Sequence, residues 1–376
     1  MVGRIGAREL LHDRLLTMVN SRLAVDVFPH VDQRSGGMVL TGFRSLAECR
    51  ALRHVAPHLV LAVDYENHTR AYATEESPFS IQSVEGWRHL GSGALNEVLD
   101  GQIHNGASFA VTPTTFLGYE GGTPVLRSVI AAANRLERED TVVLVACSYK
   151  WLQPPALVQF AEQLAACRHP VALTLQADSD PMERRGVPEG LRQLCRACPD
   201  LVLWRTDLAA FDAMTHGALA GAVGVTAGLR HAVDPARDGG GGPWNPFTVV
   251  LLGRLLRYFR VTTLQDWFAH SDPWTCDCAV CRGAALDRFT DKAADVLQAR
   301  QHSVRQLYLL HQDMAACHRG HHRLEWWRQT LGDSYELHRQ LSRQIEMEID
   351  FPKVLQAWRR PTPMPLAPVQ RRQEPI

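Results

Sequence analysis

The stretch Cys276-Asp277-Cys278-Ala279-Val280-Cys281 places three thiols within six residues, and His302 follows further along the chain. Three thiolates spaced in this way can surround one ion, and His302 is a suitable fourth ligand for a tetrahedral zinc site. His302 opens a segment, Ser303–Tyr308, that we predict to be helical. The alternative is that the cysteines are buried or incidental. A closed zinc site is structural, because it leaves no coordination position for water, so any chemistry must lie elsewhere.

The residues before this stretch contain short apolar runs bounded by Pro, Gly, Asp or Asn, as buried parallel strands are. Amphipathic segments lie between the runs, for example Val125–Leu136, Pro155–Cys167 and Pro188–Cys195. About eight alternations of strand and helix predict an α/β fold of the (β/α)8 type, a TIM barrel, with an open doubly wound sheet as the alternative. The predicted strands are Arg22–Val27 or Met38–Phe43, Leu59–Val63, Phe109–Thr112, Val142–Cys147, Val171–Gln176, Leu201–Trp204, Ala222–Val225 and Thr248–Leu252.

The chain divides into three predicted regions. Residues 1–270 form the barrel, which opens with a helix-like segment, Ala7–Asn20. Four glycines, Gly239–Gly242, precede its last predicted strand and fit either an active-site loop or a plain linker. Residues 271–358 form a C-terminal zinc-binding helical subdomain, because apolar residues there recur at helical spacing. Residues 359–376 contain five prolines, and we predict that they are disordered.

The composition of the 376 residues is that of a globular chain, with 45% hydrophobic residues and a formal net charge of zero. No apolar run reaches the ~20 residues that a membrane span needs. The N-terminal residues Met1–Leu15 are charged and lack the apolar core of a signal peptide. The nine cysteines are either clustered or isolated in apolar strands, which is typical of a reduced compartment. We therefore expect a cytoplasmic protein that does not enter a membrane.

Carboxylates follow several predicted strands, where barrel enzymes collect their active-site residues. Asp64 comes directly after the apolar run Leu59–Val63, and a carboxylate there is well placed as an acid, a base or a nucleophile. Asp180 and Asp207 follow two later strands. The alternative for each is that it caps a helix or a turn, and we favour that alternative for Asp180 and Asp207.

Other polar residues at strand ends are candidates for binding a substrate. Gln176 and Cys147 end two consecutive predicted strands, and we expect Asp64 to point into the barrel mouth within reach of both. Arg230 follows a later strand and could bind a phosphate or another anionic group. It could equally form a salt bridge with Asp234.

An arginine-rich region follows the zinc stretch and is predicted to be helical. Its arginines could contact a nucleic-acid backbone, with Trp326 and Trp327 nearby. Neighbouring acids partly cancel the charge, and a solvated helix face is the alternative. The arginines are Arg319, Arg323, Arg328, Arg339 and Arg343.

The segments Asp272–Cys281 and His302–Tyr308 resemble the zinc region of the tRNA-guanine transglycosylase superfamily. Its members are (β/α)8 barrels with a zinc subdomain after the last strand. The resemblance implies that the three cysteines and His302 hold a structural zinc ion. If zinc binding does not need His302, His311 is the reserve ligand. It also implies that Asp64 is the general acid or base, and that the base contacts the strands that end in Cys147 and Gln176.

Three features depart from the superfamily pattern. Asp64 is followed by Tyr65-Glu66-Asn67 instead of Ser-Gly-Gly, and Trp204–Asp207 stands where Gly-Gly-Leu lines the base pocket. The superfamily carries its nucleophilic aspartate on the last strand, but the last predicted strand here has no acid near Asn245.

The resemblance implies an enzyme that exchanges guanine for a 7-deazaguanine base in tRNA or DNA. A homo- or hetero-dimer is one possible assembly. Such chemistry needs a nucleophile and a proton donor, for which Asp64 and Asp207 are the candidates. The alternative is a non-catalytic nucleic-acid-binding or partner subunit that kept the barrel and the zinc site. A third hypothesis is an unrelated hydrolase or lyase, because fold does not fix function. A second carboxylate that converges on Asp64 would favour the enzyme.

Overall fold

The computed structural model describes residues 5–42, 44–83, 86–236, 247–361 and 363–366. Eight parallel strands dominate it: β1 Arg14–Asn20, β2 Gly36–Thr41, β3 Val60–Asp64, β4 Ala110–Val111, β5 Thr141–Ser148, β6 Val171–Gln176, β7 Leu201–Thr206 and β8 Ala220–Gly224. They form one sheet in the order β3-β2-β1-β8-β7-β6-β5-β4, so the last barrel strand pairs with the first. The predicted (β/α)8 barrel is confirmed.

The barrel closes between β3 and β4 through Ser108, which lies two residues before β4. The Ser108 amide donates to the Leu61 carbonyl over 2.7 Å, and the Leu61 amide donates to the Ser108 hydroxyl over 3.1 Å. Apolar side chains from alternate strand positions fill the lumen, including Leu16, Val39 and Trp204. The lumen is therefore a packed core, as it is in barrels of this size.

The first strand, β1, occupies a segment predicted to be helical. A short helix, α1 Ala7–Leu11, precedes it, and the chain turns at Asp13, which has a φ of 58°. The helix predicted over Ala7–Asn20 is present at Ala7–Leu11 but is wrong for Arg14–Asn20, because residues without β-branching, such as Leu15 and Leu16, fit either structure and only the two neighbouring strands decide.

Helices surround the sheet, and the three amphipathic segments predicted to be helical are confirmed as α5, α6 and α7 below. Each of the seven connections between consecutive barrel strands contains one of these helices. They are α2 Ala24–Val27, α3 Ser45–Val55, α4 Ser92–His104, α5 Gly122–Asn134, α6 Ala156–Ala165, α7 Val187–Ala197 and α8 Ala209–Thr215. The first of these is only one turn long, and β8 is followed by a 3-10 turn, Ala227–Leu229.

The run Thr248–Leu252 was predicted to be the last barrel strand, and this prediction is wrong. Strand β9 (Val249–Leu252) pairs antiparallel with β10 (Arg257–Arg260) in a separate hairpin. The barrel is already complete at β8, so this apolar run packs instead against the C-terminal helices. The predicted glycine hinge, Gly239–Gly242, and Asn245 lie outside the described residues.

The C-terminal helical region covers the side of the barrel where long helices are missing. It comprises α9 Val261–Phe268, α10 Ala293–Ala315, α11 His321–Gln344 and α12 Lys353–Trp358. From α10, the Tyr308 hydroxyl lies 2.9 Å from the Thr17 hydroxyl and donates to the Leu15 carbonyl over 3.1 Å. A Cβ at Gly36 would lie 2.6 Å from the Tyr308 ring, so this helix needs the glycine in β2.

A buried network ties α11 and α12 to the barrel helices. The Arg192 guanidinium makes a bidentate contact with Asp212, and the Trp327 indole donates to the same carboxylate over 2.8 Å. Beyond α12, the carbonyl oxygens of Pro363 and Met364 accept hydrogen bonds from side chains of α7. Part of the predicted disordered tail therefore packs on the barrel. Among the described helices, none is both long and apolar enough to cross a membrane.

Candidate metal centre and barrel mouth

The three cysteines and His302 converge on one point. Their ligand atoms all lie within 4.8 Å of one another, and the His302 Nδ1 is 3.1 Å from the Cys281 Sγ and 3.5 Å from the Cys278 Sγ. Ligands around a tetrahedral metal are separated by about 3.5–3.8 Å, which follows from the usual metal–sulfur and metal–nitrogen distances. The group could therefore hold one metal ion.

A tight turn supports the thiols. Cys276 lies in a two-residue strand that pairs with Ala284–Ala285, and the chain between them turns through Arg282 and Gly283, both with positive φ. The Cys278 amide points at the Cys276 Sγ over 3.5 Å. Hydrogen bonding with its neighbouring thiols holds the pKa of Cys278 well below its ordinary value, which favours the thiolate that a metal requires.

Outer contacts fix the histidine and screen the thiols. The His302 Nε2 lies 2.9 Å from the Leu251 carbonyl of β9, so its Nδ1 is left to face the cysteines. Gln306 and Arg288 donate to the Sγ atoms of Cys276 and Cys281, respectively. His302 was predicted to open a helix, but it lies well inside α10.

The reserve ligand, His311, lies elsewhere. Its Nε2 is 3.0 Å from the carbonyl of Asp13, and it is fully buried beside the first barrel strand. His311 therefore belongs to the contact between α10 and the bottom of the barrel.

The Asp64 carboxylate points inward from the end of β3 and is only 1% exposed. One oxygen accepts the Glu66 amide over 2.8 Å, and the other accepts the Trp204 indole over 2.9 Å. His68 lies 3.9 Å away and is fully buried, and burial lowers its pKa to about 4. Asp64 therefore sits among protein groups below the barrel mouth.

An ion pair crosses the mouth above Asp64. The Arg205 guanidinium contacts the Glu66 carboxylate over 2.7 Å and also donates to the carbonyls of Gly228 and His231. Glu66 and Arg205 both have a positive φ, and the pairing of β7 with β8 shifts register at this point. This irregularity turns Arg205 toward the mouth. The sequence places Arg205 at a strand end, but it does not indicate the ion pair of Arg205 with Glu66 or the contacts of Trp204 and His68 with Asp64.

Asp207 and Arg230, two predicted site residues, line one cleft of about 550 Å³ at the mouth, together with Asp180 and Tyr258. Asp180 and Asp207 each accept a backbone amide two residues on, so the predicted capping role is confirmed for both. Burial and the charge of Asp207 raise the pKa of Asp180 to about 7. Asp64 is not among the residues that line this cleft.

The other predicted substrate residues have different places. Cys147 is fully buried and packs in the core between the strands and the outer helices, where burial raises the pKa of its thiol. Its predicted role at the mouth is wrong, because alternate residues of β5 face opposite sides of the sheet. Gln176 ends β6 at the mouth and is half-buried, and its backbone bridges to Ala232.

One of the arginines predicted to face solvent is used inside the protein. Arg323 is 3% exposed and makes a bidentate contact with Asp13. Arg319 is partly exposed and contacts the same carboxylate and the Ala218 carbonyl. The predicted solvated face is therefore wrong for Arg323. Arg328, Arg339 and Arg343 are exposed on α11.

No protein-family model matches the chain, and no curated protein matches it. The carboxyl transferase domain of Rhizobium etli pyruvate carboxylase with 3-bromopyruvate is similar at 12% identity and a TM-score of 0.38, covering 92% of this chain and 56% of that one. Pyruvate carboxylase of the same organism with acetyl coenzyme A is similar at 12% identity and a TM-score of 0.38, and the match covers 94% of this chain and 33% of that one. Mycobacterium tuberculosis Rv1207 is similar at 13% identity and a TM-score of 0.30, and the match covers 57% of this chain and 86% of that one. The chain thus spans only a third to just over half of these pyruvate carboxylase chains.

Proposed function

We propose that this chain is a transglycosylase-like barrel that no longer exchanges bases and serves as a nucleic-acid-binding subunit. The observation that carries the proposal is that the Asp64 carboxylate is buried and hydrogen-bonded to the protein. Both of its oxygens accept hydrogen bonds from the protein, and the residue is only 1% exposed. A nucleophile or acid of a base-exchange reaction must reach the anomeric carbon or the departing base.

The last barrel strand supports the same proposal. Its sequence, Ala-Gly-Ala-Val-Gly over Ala220–Gly224, contains no acid, and Val225 and Thr226 follow it. Trp204 occupies the lumen beside Asp64, where the resemblance would place a base pocket. The nucleophile that base exchange needs is therefore missing from the last barrel strand, and the acid that the resemblance assigns to Asp64 is present but hydrogen-bonded to protein groups.

The metal of the Cys3His group is zinc in this proposal, because three thiolates and one imidazole suit that ion. Cys276, Cys278, Cys281 and His302 would hold it with no position left for water. Its role is to fasten the turn Cys276–Cys281 to α10 through His302, whose other ring nitrogen contacts the Leu251 carbonyl of β9.

The nucleic-acid surface of the proposal is the exposed side of α11. Arg328 and Arg343 have no part in the buried contacts that hold Arg323. Arginines that neutralise phosphates release counterions, so the logarithm of the affinity should fall linearly with the logarithm of the salt concentration.

The test has two arms, both with the full chain. Purified protein should leave radiolabelled guanine unincorporated in tRNA and in duplex DNA, and it should bind one of these polymers at low salt. Arg328→Glu with Arg343→Glu should reduce binding by about tenfold or more and flatten its salt dependence. Incorporation that Asp64→Asn abolishes, or no binding at low salt, would refute the proposal.

A second candidate is base exchange at the cleft of Asp207 and Arg230, with a guanine or a 7-deazaguanine base as the substrate. It is favoured by the pairing of Asp207 with Asp180, whose raised pKa of about 7 suits a general acid. Incorporation of guanine that Asp207→Asn abolishes and Asp64→Asn leaves unchanged would select this candidate.

A further inference from the structure

A second cleft lies beside the Cys3His group. It has a volume of about 650 Å³, and two members of the group, Cys276 and His302, line it. Gln306 of α10 and Gln340 of α11 line it as well, and Trp274 supplies an apolar part of the wall. A closed coordination shell leaves no position for water at the metal, but this cleft gives small solutes a route to the ligands themselves.

The three thiols of the group differ in their access to this cleft. Cys278 is 8% exposed and Cys281 is 4% exposed, whereas Cys276 is half-buried. Among the described residues that line the cleft, Cys276 is the one cysteine, and His302 is only 1% exposed. A solute that enters the cleft therefore meets the Cys276 sulfur before the other two.

The cysteines outside the group are poor nucleophiles. Burial raises the pKa of five of these six thiols, so they stay protonated at neutral pH. They are Cys49, Cys147, Cys167, Cys195 and Cys198. The sixth, Cys317, donates its own S–H to the Asp313 carbonyl over 3.7 Å. A metal-bound cysteine differs from all of them, because coordination removes its proton and leaves a thiolate, which is the reactive form.

We propose that Cys276 is an oxidation site for peroxides, through which the protein releases its metal. The Cys276 sulfur attacks one peroxide oxygen, the O–O bond breaks and hydroxide leaves, so that the thiolate becomes a sulfenic acid. The thiolate of Cys278 or Cys281 then displaces the hydroxyl as a second hydroxide, and a disulfide forms. Two electrons pass from the two sulfurs to the peroxide, and solvent supplies the two protons that convert the hydroxides to water.

The geometry of the group suits the second step. All four ligand atoms lie within 4.8 Å of one another, so a partner sulfur is close to Cys276 before any movement. Once the disulfide has formed, one thiolate and His302 remain, and two ligands are too few to retain the ion. The proposal rests on the metal of the proposed function, but it does not depend on nucleic-acid binding.

Gln306 is expected to slow the first step. Its side-chain amide donates to the Cys276 Sγ over 3.4 Å, which withdraws charge from the sulfur and occupies space beside it in the cleft. Gly253 leaves room for this arrangement, because a Cβ at that position would lie 2.7 Å from the Gln306 Oε1. Gln306→Ala removes the amide, and Gly253→Ala pushes it aside without altering a residue of α10.

The test uses the full, zinc-loaded chain and limiting hydrogen peroxide. Zinc release is followed with a colorimetric chelator, and dimedone traps the sulfenic acid for peptide mass spectrometry. Dimedone should label Cys276 first, and a thiol reductant with added zinc should restore the bound metal. Gln306→Ala and Gly253→Ala should each release zinc about threefold faster or more, since one hydrogen bond to the sulfur is lost.

The matched control is Gln340→Ala, which alters the cleft on its α11 side and should leave the rate unchanged. First labelling at Cys278, Cys281 or Cys317 would overturn the proposal and leave the zinc assignment intact. Equal rates for the wild type, Gln306→Ala and Gly253→Ala would also overturn it, and so would retention of zinc after Cys276 has been oxidised. Protein that purifies without metal would overturn both this proposal and the zinc assignment.

Discussion

Asp180 gives the protein a pH-dependent stability. Its pKa rises from an ordinary value of 3.8 to about 7 in the folded protein, because of burial and the charge of Asp207. The ionised form therefore destabilises the fold fully above pH 7, and the loss disappears as the pH falls toward 4. We expect Asp180→Asn to raise the Tm at pH 8 by about 2–4 °C and to change it little at pH 4.5, by thermal melts at both values.

The control for this prediction is Asp178→Asn, which should leave the Tm unchanged at both pH values because that side chain is mostly in solvent. An equal gain for Asp180→Asn at both pH values would contradict the electrostatic cause. The charged residues that share the cleft with Asp180 are Glu183, Asp207, Arg230, Arg257, Asp350 and Lys353.

Asp64 is predicted to be a stabilising residue. In Asp64→Asn the amide can still accept the Glu66 N–H, but its NH₂ group then faces the Trp204 indole N–H, which is another donor. We expect a loss of about 1–3 kcal/mol in urea unfolding, because a buried donor is left unpaired. A simple cap would tolerate asparagine almost without loss, so an unchanged stability would contradict this geometry.

At this scale the sequence predicts positions better than orientations. Asp64 is recognisable at the end of an apolar strand, and so is Asp207. Their partners come from Trp204 and Asp180, which lie far away in the sequence, and a register shift between β7 and β8 sets where Trp204 and Arg205 point. Such a shift depends on strand pairing, which a single sequence does not display.

The metal group should stabilise one hairpin and one helix. Removing two ligands with Cys278→Ser and Cys281→Ser should abolish metal retention in elemental analysis. Amide exchange should then accelerate in β9, in β10 and in the N-terminal half of α10, because His302 joins α10 to the Leu251 carbonyl. Strands β5 to β7 should keep their protection, since their ladders are remote from the site.

The control for this experiment is Cys317→Ser, a cysteine outside the ligand group. Retention of one metal per chain in the double variant would contradict the ligand assignment. Equal acceleration throughout the barrel would contradict the local role of the metal.

Element types were predictable where the flanking residues marked the ends of an apolar run. Val171–Gln176 begins directly after Pro170, and it is a strand with the predicted bounds. The segment Arg14–Asn20 likewise contains two leucines and two β-branched residues, and such a mixture suits a helix as well as a strand. The ligand quartet was recognisable from spacing alone, because three thiols in one turn leave few alternatives.

The C-terminal helices and the barrel should unfold together. Asp212 on α8 accepts both nitrogens of the Arg192 fork at 2.9 and 2.7 Å, and it accepts the Trp327 indole of α11. Asp212→Ala leaves a buried guanidinium uncompensated, so we expect a loss of about 3–5 kcal/mol in denaturant unfolding.

The control variant is Glu189→Gln, which removes a partly exposed ion pair between Glu189 and Arg360 and should cost no more than about 1 kcal/mol. Separate unfolding transitions for the barrel and the C-terminal helices in the wild type would contradict a single cooperative unit.

The contact of Tyr308 with the first two strands can form only late in translation. The hydroxyls of Thr17 and Tyr308 are 291 residues apart in sequence. A ribosome adds about 5–20 residues per second, so the first strand waits roughly 15–60 s for this partner to be made. The nascent N-terminal half must therefore remain protected from aggregation until late in translation, and a fragment ending near residue 270 would keep that need permanently.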